Sequence, residues 1–151
     1  MWLPDETFKS VIQHTPLISI DLIVRNEQGQ VLLGKRVNAP AKGYWFVPGG
    51  RMRKNETLDD AFVRLVREDL GIESGVTRAD AKFLGVFEHF YDDCVFGDDI
   101  STHYIVLAYT LSLTGIKRIH NVSQHHELKW TEKSVIEKNA HYYSKLYFNF
   151  G

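Results

Sequence analysis

The chain has 151 residues, 44% of them hydrophobic, enough for one globular domain with a sizeable core and too few for a second catalytic domain. A net charge of -1, with acids and bases interspersed, excludes a tract for nucleic acid or an anionic membrane, although basic residues in a pocket can still hold a small anionic ligand. The lone Cys94 cannot close an intrachain disulfide, no CxxC or Cys/His array points to structural zinc, and no apolar run approaches membrane-spanning length.

Met1 to Pro4 leads straight into Asp5 and Glu6 without the basic then apolar pattern of a signal segment, so a soluble cytoplasmic protein is expected. Asp5 to His14 reads as a short helix with Phe8, Val11 and Ile12 on one side, closed by Thr15-Pro16. Leu17 to Arg25, LISIDLIVR, is a strand, followed by a turn at Asn26 to Gly29 and a second strand from Val31 to Lys35. Asp21 lies inside the first strand among apolar neighbours, where a carboxylate is either paired for structure or part of a site. Arg36 leaves the second strand where its guanidinium can reach a phosphate while its stem packs.

Asn38 to Gly43 is a loop, and Tyr44 to Pro48 returns as an aromatic strand into Gly49-Gly50. Glycines there permit a tight turn and leave the Gly49 carbonyl open to a metal, or simply join a strand to a helix. Arg51 follows directly and faces either a diphosphate or solvent.

A helix begins near Thr57, which with Asp60 three residues on makes an N-cap and capping box. Leu58, Ala61, Phe62, Leu65 and Val66 then form one apolar stripe. At about 100° per residue, Asp69 projects into that stripe, roughly 20° round from Leu58. A carboxylate buried there needs a cation or a strong hydrogen-bond partner, or must sit where the stripe runs out into a cleft, unless it frays into solvent before Gly71. Glu68, beside Ala61, either adds charge near a metal or pairs with Arg64.

Leu84 to Tyr91 reads as a strand that delivers His89, with Tyr104 to Leu113 as its partner. The loop between them carries Asp92, Asp93, Asp98 and Asp99, whose spacing matches no EF-hand. Asn121 to Glu127, NVSQHHE, is a polar loop ahead of the strand LKW, and its adjacent histidines are poor evidence for zinc. Ala140 to Phe150 is a terminal helix or docking tail, too aromatic to be left fully in water. Periodicity by itself supports a mixed α+β domain.

From Gly50, the spacing Gly50, Glu56, Arg64, Glu68, Asp69, Gly71, Ile72 resembles the Nudix box, G-x5-E-x7-R-E-U-x-E-E-x-G-U with U aliphatic, which binds a divalent cation on a diphosphate. Two positions depart from it: Leu65 stands where the box has its first consecutive Glu, and Asp69 replaces a Glu. The loss of the acid at Leu65, together with YWFVPGGR, HFYDD, THY and the pair QH, is similar to the GDP-mannose mannosyl hydrolase branch of the superfamily.

That resemblance implies a Nudix-type α/β/α sandwich with a mixed β-sheet, a homodimer, and a GDP-sugar substrate. It gives Glu56 and Arg64 a structural duty behind the metal ligands. It implies one Mg²⁺, with Mn²⁺ as an alternative, held chiefly by Asp69 with the Gly49 carbonyl and Gln124, an all-oxygen set. It makes His125 the general base, Tyr104 a hydrogen-bond donor to the departing phosphate, and Trp2, Leu3 and Phe8 contacts of the nucleotide. Arg36 and Arg51 would then face the diphosphate, and Asp21 and His89 the sugar.

The implied reaction is hydrolysis of GDP-mannose, and of GDP-glucose with it, to GDP and free sugar by water attack at the anomeric carbon with inversion. The alternatives are a Nudix pyrophosphatase cleaving P–O in an NDP-sugar or ADP-ribose, and a catalytically silent module that binds a nucleotide.

Overall fold

The computed structural model describes residues 2–113 and 125–148, apart from the side chains of His125 and His126. Its centre is strand β1, Leu17–Arg25, in which Ile20, Leu22, Ile23 and Val24 are fully buried. Burial on both faces marks an interior strand covered from either side. β1 runs parallel to β6, Thr102–Ser112, from Leu17 opposite Tyr104 to Arg25 opposite Ser112. It is antiparallel to β2, Val31–Arg36, and to the short β4, Gly49–Arg51.

Outside these, β3, Trp45–Phe46, and β7, His125–Thr131, pair antiparallel with β2, and β5, Lys82–Tyr91, pairs antiparallel with β6. The main path across the mixed sheet is β3-β2-β1-β6-β5.

Alternate residues of β1 serve two cores, as the two-residue strand period requires. Ile20, Leu22 and Val24 pack with Phe62, Leu65, Val66 and Leu70 of α2, Leu58–Leu70. Ile23 packs on the other face with Val47, Ile136 of α3, Lys133–Asn139, and Tyr147 of the C-terminal tail. Helices on both faces of a mixed sheet give the expected α/β/α arrangement. A smaller cluster joins Ile12 of α1, Asp5–His14, to Leu17, Cys94 and Ile100.

α2 starts and stops as its sequence predicts. The Thr57 hydroxyl accepts from the Asp60 amide at 3.0 Å, which is the capping-box half that satisfies a free helix N–H. Gly71 ends the helix with φ 70°, a left-handed conformation that glycine adopts without a Cβ penalty, and its N–H reaches the Arg67 carbonyl.

Several boundaries differ from the sequence reading. β5 begins at Lys82 and β6 at Thr102, each two residues earlier than its alternation suggests. Of Tyr44 to Pro48 only Trp45 and Phe46 pair as strand, and Tyr44 is exposed. β7 extends back through Glu127 to His125, opposite Arg36 of β2, so the polar stretch read as loop ends in a strand. Backbone pairing with β2 outweighs its polar composition there. α3 was not legible in periodicity: its seven residues bury Ile136 alone.

The tail continues through α4, Tyr142–Lys145, and is tied down at several points. The His141 amide donates to the Trp45 carbonyl at 2.8 Å, and the Ser144 hydroxyl accepts from the Val47 amide at 3.1 Å. The Tyr143 hydroxyl accepts from the Phe90 amide at 2.9 Å and donates to the Phe90 carbonyl at 2.8 Å. No helix among the described residues is long and apolar enough to cross a membrane.

Candidate active site

A cleft of about 510 Å³ opens where the start of α1, the glycine turn, the last turn of α2 and the near ends of β1, β5 and β6 meet. Of the twelve residues to which the resemblance gives a metal, substrate or catalytic role, nine line it: Trp2, Phe8, Asp21, Arg36, Gly49, Arg51, Asp69, His89 and Tyr104. Leu3 does not line it. Gln124 lies outside the described residues, as does the His125 side chain; only the His125 backbone is described, in β7 opposite Arg36.

On the floor of the cleft, the register of α2 brings Leu65 and Asp69 to the glycine turn. Asp69 is 3% exposed, and its Oδ2 accepts a hydrogen bond from the Gly49 amide at 3.0 Å. It is the turn's N–H that meets this carboxylate, where the sequence drew attention to the Gly49 carbonyl.

The approach is tight. A Cβ on Gly49 would lie 2.3 Å from the Ile20 carbonyl oxygen and 2.6 Å from Asp21 Oδ1, and one on Gly50 would lie 2.6 Å from Leu65 Cδ2. Leu65 thus sits directly beneath the second glycine, where the box pattern has a carboxylate.

The other acids of the motif turn to arginine. Arg64, 8% exposed, donates through Nε to Glu56 Oε2 at 2.7 Å, through Nη1 to Glu68 Oε2 at 3.0 Å, and through Nη2 to the Arg51 carbonyl at 2.9 Å. The Arg64 hydrogen bond holds the Glu56 carboxyl below its ordinary pKa, against the opposing effect of burial. Glu68 also meets Arg53 at 3.6 Å. Glu56 and Arg64 therefore brace the loop beneath Arg51, as the resemblance implies.

Among the described residues no three or more His, Cys, Asp or Glu side chains gather as a metal cluster. A cation in this floor would rest on one carboxylate, Asp69, supplemented by carbonyl or amide oxygens. That donor chemistry suits a hard divalent ion such as Mg²⁺ or Mn²⁺, and a buried carboxylate at the base of a cleft is suitably placed for it.

The walls carry positive charge and protonated donors. Arg36 donates through Nε to the Pro40 carbonyl at 2.9 Å and lies over the Phe46 ring. Arg51 stacks over Phe8 with its guanidinium carbon 4.2 Å from the ring centroid. Burial lowers its pKa, opposed by Tyr104. The Tyr104 phenol is pushed above its ordinary value by burial, despite the pull of Arg36 and Arg51, so it stays a proton donor at neutral pH. Phe8 also meets Phe96 edge to face, at 5.9 Å between centroids, whereas Trp2 is 80% exposed at the mouth.

The remaining wall is neutral imidazole, phenol and carboxylate. His89 is 4% exposed, and burial, followed by the nearby His141, lowers its pKa to about 4. Its ring stacks on Tyr143, 4.3 Å between centroids and 15° between planes. Tyr147 donates from its hydroxyl to Asp21 Oδ2 at 2.5 Å, and the same oxygen lies 3.3 Å from His89 Nε2. Sequence reading missed Tyr147: the aromatic density of the tail signalled burial but no partner, since Asp21 lies 126 residues away along the chain.

The NUDIX domain family model matches residues 15–150. The chain is 42% identical over 127 residues to the low-salt glycan biosynthesis protein Agl8 of Haloferax volcanii, covering 84% of this chain and 78% of that protein. Among solved structures, a MutT NUDIX hydrolase from Burkholderia pseudomallei superposes with TM-score 0.69 at 22% identity, over 89% of this chain and 96% of that one. The NUDIX domain of Shewanella oneidensis NrtR, complexed with ADP ribose, gives TM-score 0.62 at 17% identity, over 91% and 88%.

Proposed function

The chain belongs to the Nudix hydrolase family, and we propose that it hydrolyses a GDP-sugar, GDP-mannose in the first place, by breaking the bond between the anomeric carbon and the diphosphate oxygen. The observation that carries this reading is Leu65 packed beneath Gly50 beside Asp69. A hydrocarbon stands where the box has an acid, so the helix contributes fewer carboxylates to the diphosphate than the full motif does. A wall of Asp21 and His89 offers polar contacts suited to a sugar instead. The glycan-biosynthesis role in the name of the Haloferax relative supports a sugar nucleotide as substrate.

Mg²⁺, when bound, supplies Lewis-acid stabilisation of the leaving diphosphate, and Asp69, the Gly49 carbonyl and Gln124 would hold it. Arg36 and Arg51 neutralise the charge that builds on the diphosphate as the glycosidic bond breaks. Tyr104, kept protonated by burial, donates a hydrogen bond to the same leaving group. Asp21 and His89 orient the sugar hydroxyls, and His125 removes a proton from the attacking water on the opposite face, which inverts the anomeric centre. Phe8 and the exposed Trp2 flank the base. The protein acts as one catalytic domain and as a homodimer.

Product analysis in ¹⁸O-labelled water, with GDP-mannose, Mg²⁺ and a metal-free control, tests the reaction. Label in free mannose beside unlabelled GDP is the expected result. GMP with sugar phosphate and label on phosphorus would assign the protein to pyrophosphate cleavage. Nucleotide binding without turnover would make it a silent module.

A further inference from the structure

We propose that Tyr147, in the C-terminal tail, is a positioning residue of the cleft. Its hydroxyl fixes the Asp21 carboxylate and holds the His89 imidazole in its Nε2–H tautomer, so that both meet a bound ligand as hydrogen-bond acceptors. Only the identity of that ligand, a sugar nucleotide whose hydroxyls donate, rests on the function proposed above.

The assignment follows from donor counting. A phenol has one proton, and at 2.5 Å from Asp21 Oδ2 that proton is committed to the carboxylate. The Tyr147 oxygen can then only accept from His89 Nε2, 3.3 Å away, so Nε2 carries the hydrogen. Nδ1 is left as the lone-pair nitrogen. The low pKa of His89 agrees with an imidazole that is neutral at pH 7 and therefore has a tautomer to choose.

Two further contacts keep the chain in register. Stacking on Tyr143 at 4.3 Å opposes rotation of the His89 ring, and Tyr143 is itself bonded at its hydroxyl to both backbone groups of Phe90. Tyr147 packs edge to face on Phe87 at 4.8 Å, and Ser144, three residues earlier, is tied to the Val47 amide. The tail thus delivers its phenol from behind the sheet to two residues that line the cleft, while Tyr147 itself does not line it.

Two acceptors side by side select ligands whose hydroxyls can donate to both. An analogue lacking the hydroxyl that donates to His89 leaves that buried ring nitrogen without its ligand partner, the arrangement that gives strong discrimination. Specificity for the sugar would then depend on a residue outside the box motif and outside the cleft.

The test combines ¹⁵N NMR of the histidine side chains with steady-state kinetics, on the wild-type protein and on Tyr147→Phe, which keeps the ring and removes the hydroxyl. Wild-type His89 is expected as a single Nε2–H tautomer that redistributes toward Nδ1–H in the variant. KM for GDP-mannose should rise on the order of ten-fold with a smaller change in kcat and with GDP affinity unchanged.

A wild-type His89 protonated on Nδ1, an unchanged tautomer in the folded variant, or an equal loss of GDP affinity and KM would each overturn the proposal. If the variant does not fold, the wild-type tautomer decides by itself. If the wild-type protein turns over no sugar nucleotide, the proposed function fails and the NMR arm still decides the role of Tyr147.

Discussion

Burial of a neutral imidazole makes a quantitative statement about acid stability. His89 has a folded pKa of about 4 against an ordinary value of 6.5. Below pH 6.5 the unfolded chain takes up a proton that the folded chain refuses, so the contribution of His89 is fully present above 6.5 and is lost as pH falls toward 4. Integrated over that interval, the loss is about 3 kcal/mol, a large part of the stability of a small domain. Tyr143, Tyr147 and Tyr91 surround this ring, with Asp21 behind Tyr147 and the charge of His141 felt from beyond Tyr91. Of these His141 also has its pKa lowered, chiefly by burial.

Replacing His89 by Gln while keeping His141 isolates the difference. Urea unfolding from pH 7.5 to 4 at constant salt should show the wild-type free energy falling about 3 kcal/mol further than the variant's, most of it between pH 6 and 4.5. Parallel curves for the two proteins would refute the argument. So would a divergence centred above pH 6.5, because the histidine would then be favoured in its charged form.

Asp69→Asn should fold and lose at least ten-fold in Mn²⁺ affinity by EPR titration, since an amide oxygen accepts from the Gly49 amide but brings no charge to a cation. Gly49→Ala should lower Tm by several degrees and abolish turnover, because its Cβ meets backbone at 2.3 Å. Gly50→Ala should be milder, because it meets the movable end of Leu65. Arg64→Ala should cost about 3 kcal/mol in chemical denaturation by leaving Glu56 without its buried cation. Arg78→Ala, which removes an exposed pair with Asp59, should leave the denaturation midpoint in the same assay essentially unmoved.

What the sequence disclosed was what short-range periodicity encodes. The helical register put Asp69 within an apolar stripe, and the folded chain buries it at the cleft floor. Alternation located β1 and β2 to within a residue, because their buried faces repeat over six to nine positions. Periodicity failed where elements are short or polar: α3 offers one buried side chain, and the first residues of β7 are His-His-Glu. Cleft residues supplied by distant segments were legible one at a time, through the family pattern, and never as contacts. Tyr147 escaped altogether, since nothing local distinguishes it from Tyr142, which is exposed.

The pair of hydrogen bonds between Tyr143 and Phe90 has a consequence beyond the cleft. β5 ends the main path of the sheet, and it carries Phe83, Leu84, Val86 and Phe90 largely exposed. An outer strand of that kind is a template on which another polypeptide can add itself, and its free amide and carbonyl groups are what a newcomer would grip. At Phe90 both grips are already taken by one phenol. Truncating the chain ahead of Tyr143 would free that stretch, and the shortened protein is expected to aggregate where the intact one stays dispersed.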